Sequence, residues 1–224
     1  MNQEEERRFH VFGLQRSGTN YLETLIGQNF VCHGKNGGWK HAINPHPLRK
    51  YDPEAPLFII RKNPYKWIES IAIRNRVDYV KRQTKYPAND FSNLPKIFSV
   101  GNKHLNPVNM ALTWRDWYIN WHEKAHPLIK SNSVTVRYED LLKEKSRIAF
   151  LQTLQSRFHY DIRTKDWVNP HKVSMSRDFS EEMVKYYLNE TLVPGIFNKE
   201  KLQLVNEAIG KDIIEKAGYI VLEQ

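Results

Sequence analysis

Two segments of the sequence share one plan, in which an apolar run is followed by a short loop and then by a helical pattern. The first run, Phe9 to Leu14, leads through residues 15–19 into helically spaced apolar residues over Asn20 to Ile26. The second run, Leu57 to Ile60, leads into a helical pattern from Tyr65 to about Arg76. Strands that alternate with helices along a chain usually pair in parallel. The sequence therefore predicts an α/β fold with a mainly parallel central sheet flanked by helices.

Length and composition favour a single domain over residues 1–224. The chain is 40% hydrophobic, which is enough for one sizeable core, and it contains no internal repeat or Gly/Ser linker. Prolines and asparagines between about 77 and 122 indicate an inserted segment that covers a site or binds the substrate. The lone Cys32 can form no internal disulfide and has no CxxC partner for zinc.

The sequence also bears on the compartment. No run approaches the roughly 20 apolar residues that span a bilayer, and Met1 to Arg8 is charged rather than apolar. We therefore expect a cytoplasmic protein without a membrane span.

The charge balance favours an anionic partner. The chain has 34 Lys and Arg against 25 Asp and Glu, a formal net charge of +9. Nucleic acid, an acidic membrane surface and a small polyanion all fit such a surface. Charge alone does not distinguish these three partners, so the distinction depends on the sequence motifs.

The segment Gly13 to Asn20 reads Gly-Leu-Gln-Arg-Ser-Gly-Thr-Asn and has the Gly-x4-Gly spacing of a phosphate loop. It lies between the first predicted strand and helix, where backbone N–H groups can cradle a phosphate. A loop of the ATP type needs Lys and then Ser or Thr directly after the second glycine, but Thr19 and Asn20 follow Gly18 here. The hydroxyl that would bind Mg²⁺ is therefore missing from its position, while Arg16 supplies a cation.

With these residues the chain resembles the sulfotransferases that use 3′-phosphoadenosine 5′-phosphosulfate (PAPS). Their loop reads Lys/Arg-Ser/Thr-Gly-Thr/Ser between the first strand and its helix. The resemblance implies a P-loop-type three-layer fold and metal-independent transfer of the sulfuryl group from PAPS, with the desulfated nucleotide PAP as product. It also implies that Arg16 contacts the 5′-phosphosulfate. The 5′-phosphate would be bound by Ser17, Gly18, Thr19 and Asn20.

A second anion site is expected for the 3′-phosphate, which distinguishes PAPS from ATP. The family reads this phosphate with Arg, Asn or Asp, a Pro or small residue, and a Ser eight residues after the Arg. Here Lys62, Asn63 and Pro64, together with Ser70, match that spacing. Lysine lacks the bidentate fork of arginine. Either Lys62 therefore binds the phosphate alone or the preceding Arg61 assists it.

A base is needed to take the proton of the sulfuryl acceptor. The segment Trp39-Lys40-His41 resembles the Lys-x-His segment of cytosolic sulfotransferases, with the lysine adjacent rather than one residue apart. The resemblance implies that His41 is the base and that Lys40 assists catalysis. Glu23 and Glu69 are alternative bases, because some relatives use a carboxylate.

A third resemblance, Val136 to Leu141, matches the family's Arg-Tyr-Glu-Asp-Leu strand end, to which we assign a structural role. The sulfuryl acceptor stays open among a carbohydrate, a small alcohol or phenol, an amine and a peptide. Two alternatives remain, a basic nucleic-acid-binding protein and a P-loop nucleotide kinase. The Gly-x4-Gly spacing of the loop favours the sulfotransferase, because binding of nucleic acid would not explain that spacing.

Overall fold

A computed structural model of the chain describes residues 7–34, 40–41, 55–78, 98–100, 103–105, 107–125, 127–170, 172–174, 177–178 and 180–223. Contacts divide the chain into two compact units that interleave along the sequence. The first unit consists of Met1–Lys62 and Asn120–Leu188, and the second of Asn63–Ile119 and Asn189–Gln224.

In the first half of the chain, β1 is followed by α1 and β3 is followed by α2. The strands are β1 (Arg8–Phe12), β2 (His33–Gly34), β3 (Leu57–Arg61), β4 (Phe98–Val100), β5 (Lys103–Leu105), β6 (Ser133–Arg137), β7 (Lys172–Ser174) and β8 (Arg177–Asp178). The helices are α1 (Thr19–Asn29), α2 (Pro64–Asp78), α3 (Pro107–Tyr118), α4 (Pro127–Ser131), α5 (Tyr138–Leu142), α6 (Glu144–Phe158), α7 (Glu181–Leu188), α8 (Lys199–Ile209) and α9 (Lys211–Lys216). A π-helical turn, Ile119–Glu123, follows α3.

The first unit contains a four-stranded sheet in the order β2-β1-β3-β6, and every neighbouring pair is parallel. Phe12 lies opposite Ile59, and Arg61 lies opposite Arg137. The carboxyl ends of β1, β3 and β6 therefore meet at one edge of the sheet. This arrangement confirms the predicted α/β fold with a parallel sheet flanked by helices.

The core of the first unit lies on the face of the sheet that carries Phe9, Val11, Phe58 and Ile60. These side chains pack with apolar residues of α1, α5 and α6 in one buried cluster. Alternation along the strand turns Phe12 to the other face, where it stacks on Trp121 with ring centroids 4.8 Å apart. Fully burying one such side chain contributes roughly 1.5–3 kcal/mol to the stability of the fold. Packing on both faces therefore stabilises the sheet at the edge where its strands end.

The second unit is built on α2, α3, α8 and α9. Trp114 and Trp117 of α3 are buried, and Trp114 stacks on Tyr118 with ring centroids 5.6 Å apart. The Tyr65 hydroxyl lies 2.5 Å from Asn206 Oδ1 and accepts a hydrogen bond from the backbone N–H of Leu222. The helical aromatic pattern of α3 therefore serves core packing.

The predicted insertion is described only in part. It includes α3, which gives way to the π-helical turn after Tyr118. Residues 79–97 of the predicted insertion at about 77–122 lie outside the described residues. No helix within the described ranges is long and apolar enough to cross a membrane.

Candidate anion site at the phosphate loop

The loop between β1 and α1 is a tight turn that requires glycine at two positions. A Cβ atom at Gly13 would lie 2.5 Å from Ser17 Oγ and 2.6 Å from the Ile60 carbonyl oxygen. Gly18 has φ 101°, and Arg16 has φ 70° although it carries a side chain. Left-handed backbone at a non-glycine residue costs of order 1–3 kcal/mol and is found mostly at functional sites.

The N-cap residue of α1 is Gly18, which makes no side-chain hydrogen bond to the first turn of the helix. Ser17 is only 2% exposed, and its Oγ has no hydrogen-bond partner among the described residues. Leaving a buried hydroxyl unsatisfied costs about 1–3 kcal/mol. A buried polar group beside a helix N-terminus that has glycine at its N-cap is the arrangement expected of a binding site for an anion.

Lys62 follows β3 and contacts the phosphate loop. It is 4% exposed, and its ammonium donates to the Tyr187 hydroxyl at 2.8 Å and to the Arg16 carbonyl at 3.4 Å. The same ammonium lies 4.0 Å from the centroid of the Tyr187 ring and 5.2 Å from that of the Tyr138 ring. Lys62 thus contacts Arg16, the residue of the loop that has left-handed backbone, and places a positive charge beside the loop.

Tyr138, the first residue of α5, forms a wall of the loop. Its ring would lie 2.4 Å from a Cβ atom at Gly18, and it meets the Tyr187 ring edge-on at 5.2 Å. Burial raises the pKa of Tyr138 well above its ordinary value, while the positive charge of Arg16 acts in the opposite direction. The phenol therefore stays neutral, although the positive charge of Arg16 acts to lower its pKa.

Two site residues were missed by the sequence reasoning. Tyr138 belongs to the Val136–Leu141 motif, which was assigned only a structural role, so its signal was present but given too little weight. Tyr187 lies in α7, far from the loop in sequence, and no pattern around it indicates a site.

His41 and Lys40 are brought to the loop. The backbone N–H of Gly13 donates to the Lys40 carbonyl at 3.0 Å, and His41 Nδ1 lies 2.8 Å from the Gly13 carbonyl. Because a carbonyl only accepts, Nδ1 carries the proton, and the lone pair of the neutral ring is on Nε2. Lys40 Nζ donates to Asn20 Oδ1 and to Glu23 Oε2, each at 2.8 Å. The structure therefore joins the predicted catalytic segment to the predicted phosphate loop.

Arg61 and Lys62 have different neighbours. Neighbouring residues of an extended strand point in opposite directions, and Lys62 is the one that contacts the phosphate loop. Burial lowers the pKa of His122 to about 3, and the positive charge of Arg61 acts in the same direction. Arg61 Nε is buried without a hydrogen-bond partner in the described part of the chain. Of the two cations, Lys62 is therefore the one shown in contact with the phosphate loop, and which of them would bind a 3′-phosphate stays open.

Ser70 and Glu69 both lie on α2, in the second unit. The Ser70 hydroxyl donates to the Trp67 carbonyl at 2.9 Å. At the start of the same helix, Asn63 Oδ1 accepts from the backbone N–H groups of Tyr65 and Lys66. The predicted roles of Ser70 in 3′-phosphate binding and of Glu69 as a base stay predictions.

The first unit therefore holds a candidate anion site with cations and a histidine beside it. Within the described residues, no three His, Cys, Asp or Glu side chains converge in a way that could hold a metal ion. Comparison of the chain with family models, with curated proteins and with solved structures finds no match.

Proposed function

We propose that the chain is a P-loop sulfotransferase that uses PAPS as sulfuryl donor and a hydroxyl or amine as sulfuryl acceptor. The observation that carries this proposal is the buried Ser17 hydroxyl, which has no partner in the described part of the chain and lies beside the start of α1, where the N-cap residue is glycine. A tetrahedral oxyanion with several acceptor oxygens matches that set of donors.

The residues fit such a nucleotide without a metal ligand in the loop. Ser17, Gly18, Thr19 and Asn20 would hold the 5′-phosphate, as the resemblance implies, with Arg16 at the phosphosulfate. Lys62 adds a buried positive charge to the same loop. Ser70 remains the proposed partner of the 3′-phosphate.

The proposed chemistry uses His41 and Arg16. Bound PAPS supplies an activated sulfuryl group, and its transfer to an acceptor oxygen releases PAP and one proton. His41 takes that proton at Nε2, because its hydrogen bond to the Gly13 carbonyl keeps the proton of the neutral ring on Nδ1. Arg16 stabilises the negative charge that forms on the departing phosphate oxygen.

Thermal unfolding with and without nucleotide tests the proposal. We expect PAP to raise the Tm in the presence of EDTA, since ligand at 100 times its Kd stabilises the fold by about 2.7 kcal/mol. ATP with Mg²⁺ should give a smaller shift. A shift with Mg-ATP and none with PAP would indicate a kinase. Binding of nucleic acid that weakens steeply with salt, with no response to PAP, would indicate the nucleic-acid-binding alternative.

A further inference from the structure

A groove of about 360 Å³ lies in the first unit beside α1. Its lining consists of Glu23 and Gly27 of α1, His33 and Gly34 of β2, Phe9, Cys32 and Arg163. None of these residues was assigned to nucleotide binding. The groove therefore offers a surface for a second ligand in the unit that holds the phosphate loop.

One ion pair connects the groove to the phosphate loop. Lys40 Nζ donates to Glu23 Oε2 in the groove wall and to Asn20 Oδ1 in the loop, each at 2.8 Å. His41, the proposed base, directly follows Lys40 in the chain. A ligand at the Glu23 end of the groove would therefore meet the ion pair that joins the groove to the phosphate loop.

No neighbouring atom requires position 27 to be glycine. It lies in the interior of α1, where glycine is less favourable than alanine, and a Cβ atom there would meet no other atom within 4 Å. Gly34 likewise leaves space next to the Phe9 ring, 3.4 Å from where its Cβ would be. The missing side chains keep the groove open between the helix and the strand.

The lining indicates the chemistry of the ligand. A carboxylate, an imidazole and a guanidinium supply both donors and acceptors, which suits a ligand with many hydroxyl groups. Binding sites for phenols are mainly apolar by comparison. Arg163 uses Nε to donate to the Phe30 carbonyl, and its guanidinium has further N–H groups that match a carboxylate.

We propose that this groove binds the sulfuryl acceptor, and that the acceptor is a sugar bearing a carboxylate. Its reacting hydroxyl lies at the Glu23 end, and its carboxylate lies at Arg163. The acceptor role rests on the proposed function, whereas binding of the sugar does not.

NMR titration of the ¹⁵N-labelled full chain tests the groove with three probes: D-glucuronic acid, D-glucose and phenol. We expect saturable shifts of the Gly27, His33 and Gly34 amides with glucuronic acid. Binding of glucose should be about tenfold weaker, because it lacks the charge-assisted contact to Arg163. Phenol should leave these amides unchanged. Shifts with phenol but not with the sugars, or no shifts at all, would overturn the proposal.

Variants locate the binding within the groove. Gly27→Leu fills the groove and should abolish binding of both sugars, whereas Gln28→Leu, at the exposed neighbouring position, should not. Arg163→Gln should remove the difference between glucuronic acid and glucose. Wild-type binding by the Gly27→Leu protein would rule out this groove as the site.

The response to PAP, recorded on every variant, separates this inference from the proposed function. Loss of sugar binding with an unchanged PAP shift in Gly27→Leu supports the groove. A PAP shift in wild type without any sugar binding overturns the groove and leaves the proposed function standing. Sugar binding without any response to PAP overturns the acceptor role.

Discussion

The starts of α1 and α2 follow the same plan of strand, loop and helix but satisfy their backbone groups differently. At α2, Asn63 Oδ1 accepts from the N–H groups of Tyr65 at 3.1 Å and Lys66 at 3.2 Å. At α1, the N-cap residue is Gly18, which has no side chain to make such a hydrogen bond. Neither helix has an acidic residue in that turn.

The difference shows how the residue before a helix decides what its N-terminus can do. An asparagine there uses the N–H groups internally and stabilises the helix. A glycine in left-handed backbone leaves them available, and the positive end of the helix then attracts an external anion. We therefore expect changes near α1 to affect ligand binding and catalysis, and a change at the α2 cap to affect stability alone.

The largest effect is expected for His41→Ala. Loss of a positioned base should lower kcat by about 10² to 10⁴, while PAP affinity stays unchanged, because the base takes the acceptor proton and is not assigned to nucleotide binding. Release of PAP under turnover gives the rate, and His104→Ala is the control. If His41→Ala stays within a few-fold of wild type and Glu23→Gln or Glu69→Gln abolishes turnover, the base is a carboxylate.

Gly18→Ala should be the most destabilising change in the loop. The new Cβ would lie 2.4 Å from the Tyr138 ring, and the backbone has φ 101°, so we expect a loss of about 3 kcal/mol. Urea unfolding measures it. Gly195→Ala, where a Cβ meets no other atom within 4 Å, should stay within about 0.5 kcal/mol of wild type. Equal stability of the two variants would show that the loop adopts another backbone conformation.

Asn63→Ala should cost about 1 kcal/mol, the usual value of an N-cap side chain. Asn63→Asp keeps the acceptor oxygen and should recover most of that stability. Chemical unfolding of both variants, together with the PAP-induced Tm shift, checks that the loss is in stability alone. A large fall in PAP affinity for Asn63→Asp would mean that the start of α2 also affects nucleotide binding, which would contradict the comparison.

Ser17→Ala should have the smallest effect on stability. The hydroxyl is buried without a described partner, so its removal should change the free energy of unfolding by less than about 0.5 kcal/mol or raise it slightly. PAP affinity should nevertheless fall about tenfold, through loss of a hydrogen bond to a charged group. Isothermal titration with PAP compares the two proteins. An affinity equal to wild type would remove Ser17 from the site.

Much of the fold could be predicted because its signals are local. A continuous apolar run marks β3, alternating valines mark β6, and the two glycines at 13 and 18 mark the turn between β1 and α1. The two-residue strand β2 was not predicted, since two residues are too few to show a period.

The site was less predictable because several contacts join distant segments. Tyr187 meets Lys62 across 125 positions of sequence, and no motif around either residue indicates the pair. The contact of His41 with Gly13 was not predicted, since it depends on a path of chain that composition does not determine.

The burial of Cys32 has a practical consequence. This residue, the chain's single cysteine, is 3% exposed, and burial raises its pKa to about 12, with the charge of Arg163 acting in the opposite direction. A thiol-reactive reagent needs both access and thiolate, so native protein should be labelled slowly. Labelling therefore reports how often the first unit opens around β2, and a ligand that slows labelling stabilises the closed form.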